Sequence, residues 1–207
     1  MVSAATRNTA SAQRERSDQM RARLIEATIE SLAAHGYPAT TTRRVADIAG
    51  VSLGAIAHHF PVRIDLITTA LDEVGRRMVV ELHAAAAAAI AARPRQRTPA
   101  LLDVLWTAFT SELFAVWVKV WIAAVDDAEL YAALAPFEPA LSAAFAAIAD
   151  DVAPEDLPRA EWTHRIAVAL DAMRGLALTL TIQPRPAQPR RDPWPATRAE
   201  LTALLDR

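Results

Sequence analysis

The sequence predicts an all-α fold, and three of its features lead to this prediction. Alanine, the strongest helix former, supplies 47 of the 207 residues. The 13 prolines fall in a few places and leave long proline-free stretches, which are expected to be helical because proline interrupts helices. No stretch alternates β-branched and polar residues between turn signals, as a half-buried strand would. We therefore expect about nine helices and no sheet.

The first predicted helix runs from about Ser17 to His35, after a flexible N-terminal arm over residues 1–15. Apolar and alanine residues recur in this helix at spacings of three and four, which is the pattern of one buried face. Gly36 stands just past its end, where a glycine commonly terminates a helix.

Two short helices are predicted next, within residues 41–60. Thr41 or Thr42 can cap the first of them, and Ser52 can cap the second, because their side chains accept hydrogen bonds from the first free N–H groups. Gly50 lies between the helices and can adopt the left-handed conformation of a tight turn. Two such helices joined by a glycine-containing turn form a helix-turn-helix, a unit whose second helix enters the major groove of DNA.

The remainder of the chain is predicted to form longer helices. The segment Val62 to Ala92 contains no proline, which predicts a helix of roughly 45 Å at 1.5 Å per residue. Such a helix can transmit a tilt between two domains, and a connector without regulatory motion is the alternative. Gly75 lies inside it, where a bend is expected. Further helices are predicted over residues 111–127, 159–182 and 196–206, with a proline-rich linker at residues 183–195.

Composition excludes several classes of active site. Without cysteine the chain has no disulfide, no thiolate metal site and no cysteine nucleophile. Its five glycines form no phosphate-binding loop, and no serine lies in a glycine-flanked elbow. His58 and His59 are adjacent and point about 100° apart on a helix, while His164 has only Glu161 at a usable spacing. We therefore expect no metal, no cofactor and no enzymatic activity.

Location and charge can also be read from the sequence. The N-terminus lacks the apolar core of a signal peptide, and the longest uncharged stretch, between Asp47 and Arg63, is too short to span a membrane. A cytoplasmic protein without membrane contact is expected. Residues 1–63 carry eight arginines and five acidic residues, net +3, whereas residues 64–207 carry a net charge of −5. A basic end suits docking on DNA phosphates, although a surplus of three is also within ordinary fluctuation.

Residues 18–78 resemble the DNA-binding region of TetR-type transcriptional regulators. The resemblance rests on a helix ending in HGY, a threonine-capped helix with VADIAGVS, the following LGAIAHHF, and Arg63 and Leu66 at the start of the next helix. It implies a homodimer that binds a palindromic DNA operator. It also implies that the protein represses transcription until a small-molecule effector enters a C-terminal effector-binding and dimerisation domain, residues 79–207.

Helix-turn-helix docking assigns roles to individual residues. Base edges meet the N-terminal half of the second helix, and phosphate contacts flank it; Arg63 resembles a basic residue that the family places against phosphate. Leu53 and Ala57 depart from the family, which commonly has a polar or basic residue and a tyrosine there, so we expect modest base specificity, mostly from Arg44 and His58. Arg14, Arg16 and Arg21 are expected to reach a neighbouring groove. The predicted DNA-binding residues are Thr41, Thr42, Arg43, Arg44, Ser52, Leu53, Gly54, Ala55, His58, His59 and Arg63.

Eight of the 12 aromatic residues fall between residues 101 and 153. They either line an apolar effector pocket or form the core of the domain. The single lysine, Lys119, lies on the opposite helix face from Trp117 and is expected in solvent. The predicted pocket residues are Trp106, Phe109, Trp117, Trp121 and Met173.

The last two predicted helices carry apolar stripes. In TetR-like proteins these two helices form the dimer interface, and the alternative is that the stripes pack only within one chain. The residues predicted for the interface are Ile166, Leu170, Ala177, Leu201 and Leu205.

Two classes of function follow from the sequence. A ligand-responsive DNA-binding regulator is favoured by the helix-turn-helix. An α-helical small-molecule-binding protein or helical-bundle enzyme without DNA binding is the alternative. Repressor and activator share the same DNA-binding surface, so the sequence leaves that choice open, together with the effector and the operator.

Overall fold

The structure is a computed structural model that describes the backbone of residues 2–182 and 192–206, and the side chains of residues 11–182 and 192–206. These described residues form ten α-helices and one short 3₁₀-helix, with no strand. The predicted all-α fold class is therefore confirmed. The helices are α1 (Val2–Ala39), α2 (Thr42–Ala49), α3 (Leu53–His59), α4 (Arg63–Ala92), α5 (Arg97–Phe109), α6 (Glu112–Ala124), α7 (Ala128–Leu134), α8 (Phe137–Ala149), α9 (Arg159–Ile182) and α10 (Trp194–Leu205); the 3₁₀-helix is Asp150–Val152.

Helix α1 begins at Val2 and not at about Ser17, so the segment expected to be a flexible arm has a helical backbone from Val2 onward. The physical reason is composition: residues 2–16 contain neither glycine nor proline and include four alanines and three arginines, which favour a helix. The regular helix is broken at Gly36, with φ of 73° and ψ of 176°, as the sequence predicts. A short turn containing Pro38 follows the break.

The later helices are close to their predicted extents. Helix α4 has the predicted length of 30 residues and α9 covers the predicted range, whereas α6 ends at Ala124, three residues early. Helix α10 begins at Trp194, with Pro195 in its first turn, where a proline is tolerated because its missing N–H has no partner in the helix. Residues 183–191, most of the predicted proline-rich linker, lie outside the described residues.

The chain divides into two compact units, each with its own core. The first comprises Met1–Val74 and Lys119–Leu134, and the second comprises Gly75–Val118 and Ala135–Arg207. The predicted boundary after residue 78 lies close to the observed one after Val74. The sequence did not indicate that Lys119–Leu134 packs with the N-terminal unit.

The first unit has an apolar core with a few buried hydroxyl groups. Leu24, Leu32 and Ile56 are fully buried. The buried Thr28 hydroxyl donates to the carbonyl of Leu24 at 2.7 Å. Buried hydroxyls cost free energy unless they find a partner, and this one is satisfied within its own helix.

The second unit is built around the aromatic residues. The Phe109 ring contacts the rings of Phe114 and Phe145 edge-on, with centroids 5.0 and 5.4 Å apart. Trp106 stacks on Trp194 of α10 at 4.7 Å, which fixes α10 against α5. Edge-on and offset stacked rings are the favoured aromatic geometries, so this cluster is a packed core.

The predicted dimer-interface residues need correction, because all five are buried within the chain itself. Side chains that are at most 7% exposed in one chain cannot also form a surface for a second copy. The apolar stripes of α9 and α10 therefore pack within the monomer, which was the alternative at the sequence level. The buried residues are Ile166, Leu170, Ala177, Leu201 and Leu205.

One described stretch, residues 128–152, is long and apolar enough by length and composition to meet the criterion for a membrane span. It consists of α7, α8 and the 3₁₀-helix with a break between Leu134 and Phe137, and not of one continuous helix. Leu130 and Phe145 within it are buried inside the protein.

Candidate nucleic-acid interface

Helices α2 and α3 form the predicted helix-turn-helix, and a side-chain cap begins each of them. The Thr41 hydroxyl accepts a hydrogen bond from the backbone N–H of Arg44 at 3.2 Å, so Thr41 and not Thr42 is the cap of α2. The Ser52 hydroxyl accepts from the N–H of Ala55 at 3.2 Å and caps α3. Both caps satisfy N–H groups that have no partner inside their helix.

Gly50 forms the turn between the two helices. Its backbone is left-handed, with φ of 64° and ψ of 43°. The N–H of Gly50 donates to the carbonyl of Asp47 at 3.2 Å, and the N–H of Val51 donates to that of Ala46 at 3.0 Å. This pair of bonds is the Schellman motif, which requires a left-handed residue just after the helix. A side chain at position 50 would also meet a guanidinium nitrogen of Arg23, 3.1 Å from its Cβ.

Burial separates α3 into an inner and an outer face. Ile56 is 1% exposed and packs in the core of the first unit, while Leu53 is 47% exposed, a high value for a leucine. Gly54, Ala57 and His58 are also exposed. The outer face of α3 is therefore small and mainly apolar, with one exposed imidazole. A single helix of this kind fits the width of a DNA major groove.

Arg63, at the start of α4, is half-buried and is hydrogen-bonded to the protein's own backbone. Its Nε donates to the carbonyl of Thr40 at 2.9 Å and its Nη2 donates to that of Tyr37 at 2.6 Å. Its guanidinium also lies 4.3 Å from the centroid of the Tyr37 ring, a cation–π distance. Arg63 thus acts as a clamp that joins Tyr37, at the end of α1, to Thr40, which precedes α2; its predicted phosphate contact stays a prediction.

Tyr37 and Asp127 extend this cluster. The Tyr37 hydroxyl donates to Oδ2 of Asp127 at 3.3 Å, and Oδ1 of Asp127 accepts from the N–H of Leu130 and so caps α7. Burial raises the pKa of the Tyr37 phenol above its ordinary value; the Arg63 guanidinium opposes this change and the Asp127 carboxylate adds to it. Sequence reasoning noted Tyr37 only as part of the HGY motif and missed its pairing with Asp127, because the two residues are 90 positions apart.

The remaining predicted DNA-binding residues differ in exposure and in whether their side chains are already hydrogen-bonded within the protein. Arg43 is exposed, whereas Nη1 of the half-buried Arg44 donates to the carbonyl of Ala39 at 3.0 Å. The His58 and His59 rings meet edge-on at 5.1 Å. Among the described residues, no group of three or more histidines and carboxylates can hold a metal ion.

Helix α1 contributes a second wall to this surface. Arg14, Arg16 and Ser17 of α1 line a concave surface of about 700 Å³ together with His58 and His59 of α3. Arg21, in contrast, lies over the Phe60 ring at 5.1 Å and so supports the core side of α3. Two of the three arginines predicted to reach a neighbouring groove therefore face the same surface as the recognition helix.

The residues predicted to line an effector pocket take part in packing contacts, and their role stays a prediction. Phe109, Trp117 and Met173 are at most 5% exposed and belong to the core, while Trp106 stacks on Trp194. Trp121 contacts the Tyr131 ring edge-on in the first unit. A cavity of about 280 Å³ lies elsewhere in the second unit, between α4, α5 and the start of α6, and none of the five predicted residues lines it.

Lys119 is exposed, as predicted, and its Nζ donates to the carbonyl of Ala33 near the end of α1 at 2.7 Å. Together with the Tyr37–Asp127 bond, this contact explains why residues 119–134 pack with the N-terminal unit.

Comparisons with known proteins agree with this geometry. Residues 24–68 match the family model described as bacterial regulatory proteins, tetR family. An uncharacterised HTH-type transcriptional regulator of Mycobacterium tuberculosis (strain H37Rv) is 28% identical over 195 residues, which cover 93% of this chain and 96% of that protein.

Solved structures show the same fold. A transcriptional regulator of Streptomyces coelicolor A3(2) superposes with a TM-score of 0.68 at 17% identity, over 91% of this chain and 99% of that one. The multidrug binding protein EbrR in complex with ethidium gives a TM-score of 0.62 at 21% identity, over 90% of this chain and 98% of that one. The curated relatives are transcriptional regulators and not enzymes. Within this chain, residues 24–68, which include the helix-turn-helix, are similar to the DNA-binding region of the TetR family of bacterial regulatory proteins.

Proposed function

We propose that this regulator is a repressor that binds a palindromic operator as a homodimer and leaves it when a small molecule binds. The observation that carries the DNA-binding part is the outer face of α3, where Leu53, Ala57 and His58 are exposed on a helix held rigidly by a cap and a Schellman turn. Repression is inferred because a dimer on an operator occludes a promoter. The cytoplasm is the expected location, since the DNA is there.

Base readout is assigned to α3. Leu53 and Ala57 offer apolar contacts to thymine methyl groups, and the His58 imidazole offers a hydrogen bond to a base edge. Because Nη1 of Arg44 is already bonded to Ala39, we assign less of the readout to Arg44 than the sequence predicts. Modest base specificity in each half-site remains our expectation.

Phosphate contacts are assigned to residues around α3. Arg43 is exposed at the start of α2, and Arg14 and Arg16 face the same concave surface as His58. The Thr41, Thr42 and Ser52 hydroxyls lie close to these positions in sequence and are polar partners for phosphate oxygens. Of the remaining predicted positions, Ala55 and His59 line the same concave surface, and Gly54 is exposed on α3.

The experiment is a selection of binding sites from random duplexes, followed by titration of the selected duplex at fixed salt. His58→Ala is expected to weaken binding about tenfold and to lose preference at one position of each half-site. His164→Ala changes an exposed histidine of α9 and is expected to bind like the parent. Recovery of no common sequence, or equal binding of all duplexes by both variants, would contradict the proposal.

The dimer interface is reassigned to the exposed face of α9. Val168, Ala172, Gly175 and Thr179 recur at spacings of four, three and four, so they share one face, and all four are exposed. Val168 is 42% exposed. Small residues allow two helices to approach closely, which suits a helix of one chain packing on its counterpart.

We predict that Ala172→Arg shifts the protein from dimer to monomer, because it places a charge in the middle of this face. Sedimentation velocity at micromolar concentration measures the change. Ala132→Arg, at an exposed position of α7, is the matched control and is expected to remain dimeric. A monomeric parent protein would refute the homodimer, and a dimeric Ala172→Arg variant would refute this interface.

Effector binding is assigned to the 280 Å³ cavity of the second unit. EbrR, which shares the fold, is a multidrug binding protein whose structures contain imidazole, proflavin or ethidium. Helix α4 contributes both Arg63, in the clamp, and Leu82, in the cavity wall. A ligand that moves α4 would therefore disturb the clamp between α1 and α2.

A further inference from the structure

We infer that the cavity of the second unit selects small aromatic or aliphatic molecules that carry a positive charge. This inference rests on the proposed function only in treating the cavity as the effector site. Nine residues line the cavity, and six of them are apolar, including the buried Met78 and Leu82. The polar remainder is Glu81, Thr107 and Ser111.

Glu81 provides the only formal charge among the lining residues, all of which lie within the described part of the chain. It is exposed, so it lies where the cavity opens to solvent. A single carboxylate at the edge of an apolar cavity attracts a cationic head group and repels an anionic one, while the apolar wall accepts the body of the ligand. Arg77, Asp103 and Glu112 are each adjacent in sequence to a lining residue, and none of the three lines the cavity.

The partial charges of the two helix ends at this wall, the end of α5 and the start of α6, cancel each other. Helix α5 ends at Phe109 with its negative carbonyl end, and α6 begins at Glu112 with its positive N–H end, each equivalent to about half a charge. The Ser111 hydroxyl accepts from the N–H of Phe114 at 3.2 Å and so occupies one of the free donors of α6. The full charge of Glu81 therefore decides the sign of the preferred ligand.

The hydroxyl groups add a directional contribution. Thr107 donates to the carbonyl of Asp103 at 2.9 Å, which leaves its oxygen lone pairs as acceptors. An ammonium group of the ligand can donate to this oxygen as well as to the Glu81 carboxylate. A carboxylate ligand, in contrast, would find only the Ser111 hydroxyl proton among the lining side chains.

The test uses three probes with one ring system and different charges: 1-naphthylmethylamine, 1-naphthalenemethanol and 1-naphthoate. Titration calorimetry of the full-length protein at pH 7 is expected to give tighter binding of the amine than of the carboxylate by about tenfold, since an exposed charge contributes about threefold to fivefold in each direction. Glu81→Gln is expected to reduce this ratio to about twofold or less. Asp72→Asn, which removes an exposed charge from the same helix outside the cavity, is expected to keep the ratio.

A second variant locates the binding. Ala85→Phe fills the cavity from an exposed position of α4, and it is expected to weaken all three probes together. Equal binding of amine and carboxylate, an unchanged ratio in Glu81→Gln, or no binding of any probe would overturn the inference. Operator titrations of the same samples separate the two proposals. If the probes bind but the protein stays on the DNA, only the proposal of effector release is contradicted. If the protein binds DNA but none of the probes, only the assignment of the cavity is contradicted.

Discussion

At the scale of single residues, the polar contacts that shape the DNA-binding region lie behind the recognition helix. The Arg63 guanidinium joins the carbonyls of Tyr37 and Thr40, and the Thr40 hydroxyl in turn donates to the carbonyl of Gly36 at 2.8 Å. The Ser31 and Thr40 hydroxyls lie 2.9 Å apart and are both buried. These contacts hold the chain between α1 and α2 in one conformation, so they fix the direction in which α2 starts.

We predict that Gly50→Ala destabilises the protein by about 1–2 kcal/mol, because alanine is strained in the left-handed conformation of this turn. Gly75→Ala is the matched control: its Cβ would meet no atom within 4 Å, and it lies inside α4. There alanine is expected to stabilise by up to about 1 kcal/mol. Urea unfolding measures both changes, and equal effects of the two substitutions would contradict the assignment of the turn.

Arg63→Gln is predicted to lower stability by about 2 kcal/mol while leaving the salt dependence of DNA binding unchanged, since Nε and Nη2 of Arg63 donate to backbone carbonyls of the protein. Arg43→Gln is predicted to show the opposite behaviour. Its exposed side chain contributes little to stability, and its loss reduces the slope of log K against log salt by about 0.9 for each phosphate contact. A reduced slope in Arg63→Gln would restore the phosphate role that the sequence predicts.

At the scale of elements, the segment of α6 and α7 at residues 119–134 supports the end of α1. Lys119 reaches the carbonyl of Ala33, and Asp127 both caps α7 and accepts from the Tyr37 hydroxyl. The same tyrosine stacks on Arg63, which begins α4. One aromatic side chain thus connects three segments of the first unit.

The ionisation of Tyr37 reports on this connection. Because burial raises its pKa in the folded state above the value of about 10 in the unfolded chain, its contribution to stability is complete below pH 10 and is lost as the pH rises through the folded pKa. Absorbance titration at 295 nm is expected to show a late component that disappears in Tyr37→Phe and persists in Tyr131→Phe. Loss of that component in Tyr131→Phe instead would contradict the assignment.

The elements also show what the sequence can predict. The helix-turn-helix was predictable because its caps, its glycine turn and its burial pattern are local, and of the two caps that the sequence allowed for α2 the structure has Thr41. The effector pocket and the dimer interface could not be predicted, because an apolar stripe has the same sequence pattern whether it packs on its own chain or on a second copy. Ile166 and Phe109 are buried by residues distant in sequence, which no spacing along one helix reveals.

At the scale of the whole molecule, the surface proposed to bind DNA and the cavity proposed to bind the effector differ in charge. The basic residues 1–63 include the arginines that face the α3 surface, and the acidic remainder includes the Glu81 cavity. A DNA-binding end with net positive charge binds phosphates, and a cavity with a carboxylate at its opening attracts cations. Under the two proposals, DNA and the effector are therefore distinguished by charge.

The affinity of Ala57→Glu for the selected operator is the most direct test of DNA binding through α3. The substitution adds a carboxylate at an exposed position of the recognition helix, so it is expected to weaken binding by about 100-fold or more through repulsion from DNA while the protein stays folded. Ala34→Glu makes the same change at an exposed position of α1, and it is expected to bind within about threefold of the parent. Equal affinity of the two variants would show that α3 does not contact the operator.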